Sequence, residues 1–206
     1  MIVIYTTGLG VSESGKKPES MAKNVNLPYR IFEYQDILEN TSDALLKKHS
    51  TYGGPIMRKG KKLLYDYATD ATLYEKHKEA VLNKLKALID TLPVNEEIAL
   101  VGHSLGCVVF YDYLYQRPQN LRITKFITTG NPLPMFKGND YFSLIKVDWT
   151  NYWEDSDPIA HKMFLLTCKD VEHKSRHFWK GWNWLAHIAY LKSKKLAKKV
   201  RKNILE

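Results

Sequence analysis

Glu97-Ile98-Ala99-Leu100-Val101-Gly102-His103-Ser104-Leu105-Gly106-Cys107-Val108-Val109-Phe110-Tyr111-Asp112-Tyr113 is the stretch that decides the fold. It opens with a short apolar run that reads as a strand covered on both faces. From Cys107 onward it continues as a helix. Between the two, Gly102 and Gly106 bracket Ser104. A turn from strand to helix in so few residues brings backbones so close that side chains at 102 and 106 would strike them, which glycine avoids. The same turn lifts the Ser104 hydroxyl clear of the sheet, at the positive end of a helix that favours a developing oxyanion. The plain alternative is a serine at an ordinary helix cap. The strand–turn–helix context is what argues against it.

Outward from this stretch the chain alternates apolar runs with helical patterns, as parallel strands joined by crossover helices do. Candidate strands are Ile2–Thr6, Tyr29–Tyr34, Ile98–Val101, Ile123–Thr128 and Leu144–Asn151. The clearest helix runs from about Thr72 to Leu92, with Leu73, His77, Ala80, Val81, Leu85, Leu88, Ile89 and Leu92 on one side and Pro93 as its stop. Val11–Asn26 and His49–Lys62 read as loops or short lids. The expected fold is α/β, a small, open, doubly wound and mostly parallel sheet flanked by helices, with residues 1–206 as one domain.

The composition, 44% hydrophobic and 26% charged, is that of a soluble globular protein. No run approaches the roughly 18 to 20 apolar residues of a membrane span. Met1-Ile2-Val3-Ile4-Tyr5 reads as a first strand and not as a signal peptide. Cys107 and Cys168 lack metal-ligand spacing and build no disulfide framework, which suits a cytoplasmic location. Neither a metal nor another cofactor is expected.

The net charge of +9 is unevenly spread, because residues 192–202 hold seven lysines and arginines and no acid. Ser193, Leu196, Ala197, Val200 and Ile204 form one stripe of a helix over about 193–204, with Ser193 as its cap. Packing against the core is the simpler role for this segment. Peripheral contact with an anionic membrane surface or an acidic partner is the other. Lysines and aromatics do not interleave as a nucleic-acid stacking platform requires, so no nucleic acid is expected.

A serine hydroxyl is a poor nucleophile until a base takes its proton, and an acid should orient that base. Downstream of Ser104 the chain offers candidates for both. Asp157 in Asn151-Tyr152-Trp153-Glu154-Asp155-Ser156-Asp157-Pro158-Ile159-Ala160 follows a strand and precedes a proline that could open a short helix. Asp155 is the fallback. The downstream histidines are His161, His173, His177 and His187; His187 is expected in a loop just before the last helix, and its main rival His177 in an aromatic loop. His103, beside the serine on a strand end, is expected to point to the other side, which removes it as base.

The chain here resembles the α/β-hydrolase superfamily, especially its small lipase-like members. Their tail reads roughly Asn-x-x-Asp-x-x-Asp-Pro-Val-Ala and then His-x-x-Tyr-Trp-x-Ser. This chain has Asn151 to Ala160 as quoted and His187-Ile188-Ala189-Tyr190-Leu191-Lys192-Ser193. Thr128-Thr129-Gly130-Asn131-Pro132-Leu133 is similar to the superfamily's Gly-Ser-Pro strand end. The resemblance spans roughly residues 98 to 200 and implies Asp157 and His187 as acid and base. His187 gains over His177 through this resemblance alone.

Two oxyanion donors are expected. One is the backbone N–H of Leu105. The other is that of Leu9 in Thr6-Thr7-Gly8-Leu9-Gly10, where threonine stands in place of the His-Gly-x-Gly histidine of such hydrolases. The implied chemistry is acyl transfer from an ester, or from a thioester on an acidic carrier, with a small-molecule substrate. Trp179, Trp182 and Trp184 precede His187 and suit an acyl-binding wall or lid, or else simply fill the core. A catalytically silent member, binding through its basic helix and aromatic loop, is the alternative from another class.

Overall fold

The near-continuous apolar runs Ile2-Val3-Ile4-Tyr5 and Ile98-Ala99-Leu100-Val101 dictate a sheet buried on both faces, and the computed structural model has that sheet at its centre. It describes residues 1–8, 17–39, 55–116, 122–136, 145–165, 167–174 and 184–206, with backbone alone at 17, 39, 55–68, 136 and 184–185. The strands are β1 (Ile2–Thr6), β2 (Tyr29–Ile31), β3 (Ile98–His103), β4 (Ile123–Thr129), β5 (Asp148–Trp153) and β6 (Cys168–Glu172). They pair in the order β2-β1-β3-β4-β5-β6. Every pairing is parallel.

Alternation along each strand divides the core in two. Ile4, Leu100, Phe126 and Trp149 face one layer, made by α2 (Gln35–Glu39), α3 (Pro55–Asp90) and α4 (Leu105–Gln116). Val3, Tyr5, Ala99, Val101, Ile127 and Tyr152 face the other, made by α1 (Lys17–Val25), a 3₁₀ turn (Tyr190–Lys192) and α7 (Lys194–Leu205). Two short helices complete the set, α5 (Leu133–Phe136) and α6 (Trp184–Ala189). Helices thus cover both faces, which is why the strands lack polar alternation.

α7 follows its amphipathic pattern. Ser193 caps it by accepting the Leu196 N–H at 3.1 Å, and Leu196, Ala197, Val200 and Ile204 are buried. Arg201 ties it to α1 by donating to the carbonyls of Val25 and Asn26 at that helix's end.

Several expectations need correction. Residues 17–25 form α1 instead of a loop. α3 starts at Pro55, well before Thr72, and absorbs the expected loop at 55–62. Gly60 inside it costs about 1 kcal/mol of helix propensity, but Pro55 suits a helix start. On its buried side Tyr74 takes the place expected of Ala80, which is exposed. β5 runs 148–153, later than the expected 144–151, and β6 was not foreseen.

The strand order reverses direction at β1, because β2 lies on one side of it and β3 on the other. The usual ligand position in such a sheet therefore lies between the loops that leave the carboxyl ends of β1 and β3. Those loops contain Gly8 and Ser104.

Candidate active site

Ser104 joins β3 to α4 with φ +56°, in the left-handed region where a non-glycine residue is strained by about 1–3 kcal/mol. Two backbone bonds hold it there. Its N–H donates to the Thr129 carbonyl at 3.1 Å, and its own carbonyl accepts the Cys107 N–H at 2.9 Å. A Cβ on Gly102 would come within 2.9 Å of Cys107 Cα, and one on Gly106 within 2.9 Å of the Thr6 carbonyl carbon and oxygen. These are backbone atoms that cannot step aside. The turn is tight because α4 starts directly against β1 and β3.

Gly8 approaches from the β1 loop. A Cβ there would lie 3.3 Å from both Ser104 Oγ and the Leu105 nitrogen, so glycine keeps open the space between hydroxyl and amide. Leu105 opens α4, and its N–H has no acceptor within the helix. Leu9, Trp179, Trp182 and His177 lie outside the described residues, and of Trp184 only the backbone is described.

Asn151, fully buried on β5, organises the loop that follows. It accepts from Thr128 Oγ1 at 2.9 Å and donates through Nδ2 to the His161 carbonyl and to Asp170 Oδ1, both at 2.8 Å. The loop is thereby fastened to β4 and β6. Pro158 does not open the expected short helix. Asp157 instead closes a turn, its N–H donating to the Glu154 carbonyl at 3.0 Å and its Oδ1 accepting the Ile159 N–H at 2.9 Å.

α6, a short helix where a loop was expected, carries His187 over the carboxyl edge of the sheet. His187 Nδ1 lies 2.9 Å from Asp157 Oδ2 and 3.1 Å from Oδ1. A carboxylate only accepts, so Nδ1 carries the proton and Nε2 is the basic nitrogen. The Asp157 side chain is wholly buried and that of His187 nearly so, which strengthens the pairing. Beside them burial, with Asp157 and Glu154 adding to it, holds the Tyr190 phenol well above its usual range.

The other candidates fall elsewhere. Asp155 and His161 are exposed. His173 is buried, with neither ring nitrogen hydrogen-bonded among the described residues. Its burial, aided by Lys199 and Lys195 against the opposing pull of Glu154, lowers its pKa below the ordinary value.

His103 corrects the expectation that it points away. Alternation puts it on the α1/α7 face with Ala99 and Val101, but α6 brings His187 to that same face. The two rings lie 4.7 Å apart, tilted by 34°. Gly130, at φ +56°, accommodates both: a Cβ there would come 2.8 Å from His103 Cε1 and 2.9 Å from His187 Cε1. A glycine ending a strand before Asn131-Pro132 was the available signal for this close approach, and it was read only as part of a motif.

Ser104, Leu105, Asp157 and His187 are thus gathered at the carboxyl edge of the sheet, around the Thr129–Gly130 end of β4. No hydrogen bond links Ser104 to His187 in this arrangement. Such bonds in unliganded sites are often long and tighten only with substrate.

Among the described residues, no group of three or more His, Cys, Asp or Glu could hold a metal ion. No described helix is long and apolar enough to cross a membrane. The model of a family described as lecithin:cholesterol acyltransferase matches residues 61–135, from α3 through the Ser104 turn to α5. No curated protein matches the chain. The six-stranded parallel sheet flanked by helices, the serine on its strand–helix turn and this family match fit an α/β-hydrolase fold.

Proposed function

We propose that the chain is a serine hydrolase that transfers the acyl group of a carboxylic ester through Ser104, with His187 as base and Asp157 as its orienting acid. The observation that carries this reading is the buried, bonded His187–Asp157 pair on the same sheet edge as a serine in left-handed backbone. His187 Nε2 takes the Ser104 proton as Oγ attacks the ester carbonyl. The oxyanion is received by the Leu105 N–H and, in this reading, by that of Leu9. His187 then gives the proton to the leaving alkoxide, and water repeats the cycle to release the acid.

The family that matches residues 61–135 is described by its name as an acyltransferase acting on a lipid, which supports an acyl ester of a lipid as the substrate class. An alcohol in place of water would give transfer instead of hydrolysis. The tryptophans at 179, 182 and 184 are the proposed acyl-binding wall. The exposed lysines of α7 fit contact with an anionic surface, and two buried free thiols fit a reducing compartment such as the cytoplasm.

The test is turnover of p-nitrophenyl esters of graded chain length, beside the matching acyl thioesters, by wild type, Ser104→Ala and His187→Ala. The proposal expects ester turnover that both substitutions reduce by at least about 10³-fold. Faster thioester turnover would move the substrate class. A folded wild type that turns over neither would favour a catalytically silent binding module.

A further inference from the structure

His103 is a buried ring that the acyl-transfer steps do not use, and its surroundings are unusually well determined. Its Nδ1 lies 3.1 Å from the Thr129 carbonyl and 3.2 Å from Thr129 Oγ1. Thr129 Oγ1 donates its own proton to the Gly102 carbonyl, so towards His103 both oxygens accept. Nδ1 of His103 therefore carries the proton, and the ring is locked in one tautomer and one orientation. Thr129 also receives the Ser104 N–H on its carbonyl. One residue of β4 thus anchors both the proposed nucleophile and the ring beside it.

Across from that ring, the hydrogen bonds that hold His187 among the described residues all run through Nδ1. One hydrogen-bonded atom fixes a point of an imidazole and leaves the ring able to swing, while a productive base needs its orientation set within about 10–20°. The His103 face, 4.7 Å away, restricts that swing, and the bare Cα of Gly130 leaves the room that both rings occupy. We infer that His103 is a positioning residue for His187: the ring pinned by Thr129 is a wall that sets the plane of the His187 imidazole and aims Nε2 at Ser104. The inference rests on the hydrolase reading above for its catalytic consequence, but not for its geometry.

The experiment compares wild type with His103→Phe, which keeps a flat ring and loses the Thr129 anchor, and with His103→Asn, which keeps polar bonding and loses the wall. Three quantities are read: ester kcat and KM, melting temperature, and the low-field proton resonance of His187 Nδ1–H. A wall predicts that Asn lowers kcat on the order of 10- to 100-fold with KM within about twofold, as a misaimed base would. It predicts that Phe keeps kcat within about threefold although it melts lower than Asn. The His187 resonance should shift or broaden in Asn and stay in Phe. Wild-type kcat and an unmoved resonance in Asn would overturn the inference. So would a kcat that follows melting temperature across the set, since that is what a purely structural histidine gives. Should wild type show no turnover, the hydrolase reading fails, and the resonance alone decides whether His103 positions His187.

Discussion

Asp157 Oδ2 accepts the His187 Nδ1–H over 2.9 Å, and Asp157 Oδ1 accepts the Ile159 N–H over the same separation. One oxygen fixes the tautomer of the proposed base while the other fixes the acid. Asp157→Asn should preserve the turn, because its amide oxygen can still accept one of these bonds, and should disturb the tautomer. The expected loss is on the order of 10⁴-fold in kcat with a nearly unchanged melting temperature. Steady-state kinetics beside a thermal melt would check it.

Gly8 and Gly106 should separate function from folding. A methyl on Gly106 would meet Thr6 Cγ2 at 2.7 Å and the Thr6 backbone at 2.9 Å. Gly106→Ala should therefore destabilise by about 1–3 kcal/mol, read by urea unfolding. A methyl on Gly8 meets its neighbours at 3.3 Å, which a small adjustment absorbs. Gly8→Ala should melt close to wild type yet lose on the order of 10²-fold in kcat, because it fills the space between Ser104 Oγ and the Leu105 amide.

Phe164 holds φ +52° and is 83% exposed, an uncommon combination of backbone strain and lost burial. Asp170 enforces it by accepting the Met163 N–H at 3.1 Å on each oxygen and the Phe164 N–H at 3.0 Å. Phe164→Gly should leave stability unchanged or raise it by up to about 1 kcal/mol, since glycine tolerates that backbone. Asp170→Ala should cost about 1–3 kcal/mol by stranding those donors. Chemical denaturation should show a loss of stability in Asp170→Ala and none in Phe164→Gly.

His173 should make the fold acid-sensitive. Burial lowers its folded-state pKa below 6.5, so the folded chain resists a proton that the unfolded chain accepts. Its contribution is fully present above about pH 6.5 and is lost as pH falls from there toward the folded value. The fall in melting temperature between pH 7.5 and 5.5 should be smaller in His173→Phe than in wild type. An equal fall would place the acid sensitivity elsewhere.

Legibility followed the strength of the local signal. β1 and β3 read as strands because burial on both faces makes their sequences nearly all apolar, and β4, Ile123-Thr124-Lys125-Phe126-Ile127-Thr128-Thr129, because it is rich in β-branched residues. β6, Cys168-Lys169-Asp170-Val171-Glu172, lies at the sheet edge with exposed and half-buried charges and carries no such run. Among its described side chains α1 buries Met21, Ala22 and Val25, too few for a clear helical stripe. The paired Asp157 and His187 came from motif order and resemblance, not from periodicity. Within the candidate site, the side chain that sequence reasoning misplaced was His103. Alternation gave the correct face for it, but nothing in the strand reveals that α6 will cross that same face.

Covalent labelling with a fluorophosphonate, read by intact mass and by mapping of the modified peptide, tests the central claim most directly. The account predicts a single adduct on Ser104 of the wild type, absent in Ser104→Ala and strongly slowed in His187→Ala. A folded wild type that takes no label, or an adduct that persists in Ser104→Ala, would contradict it.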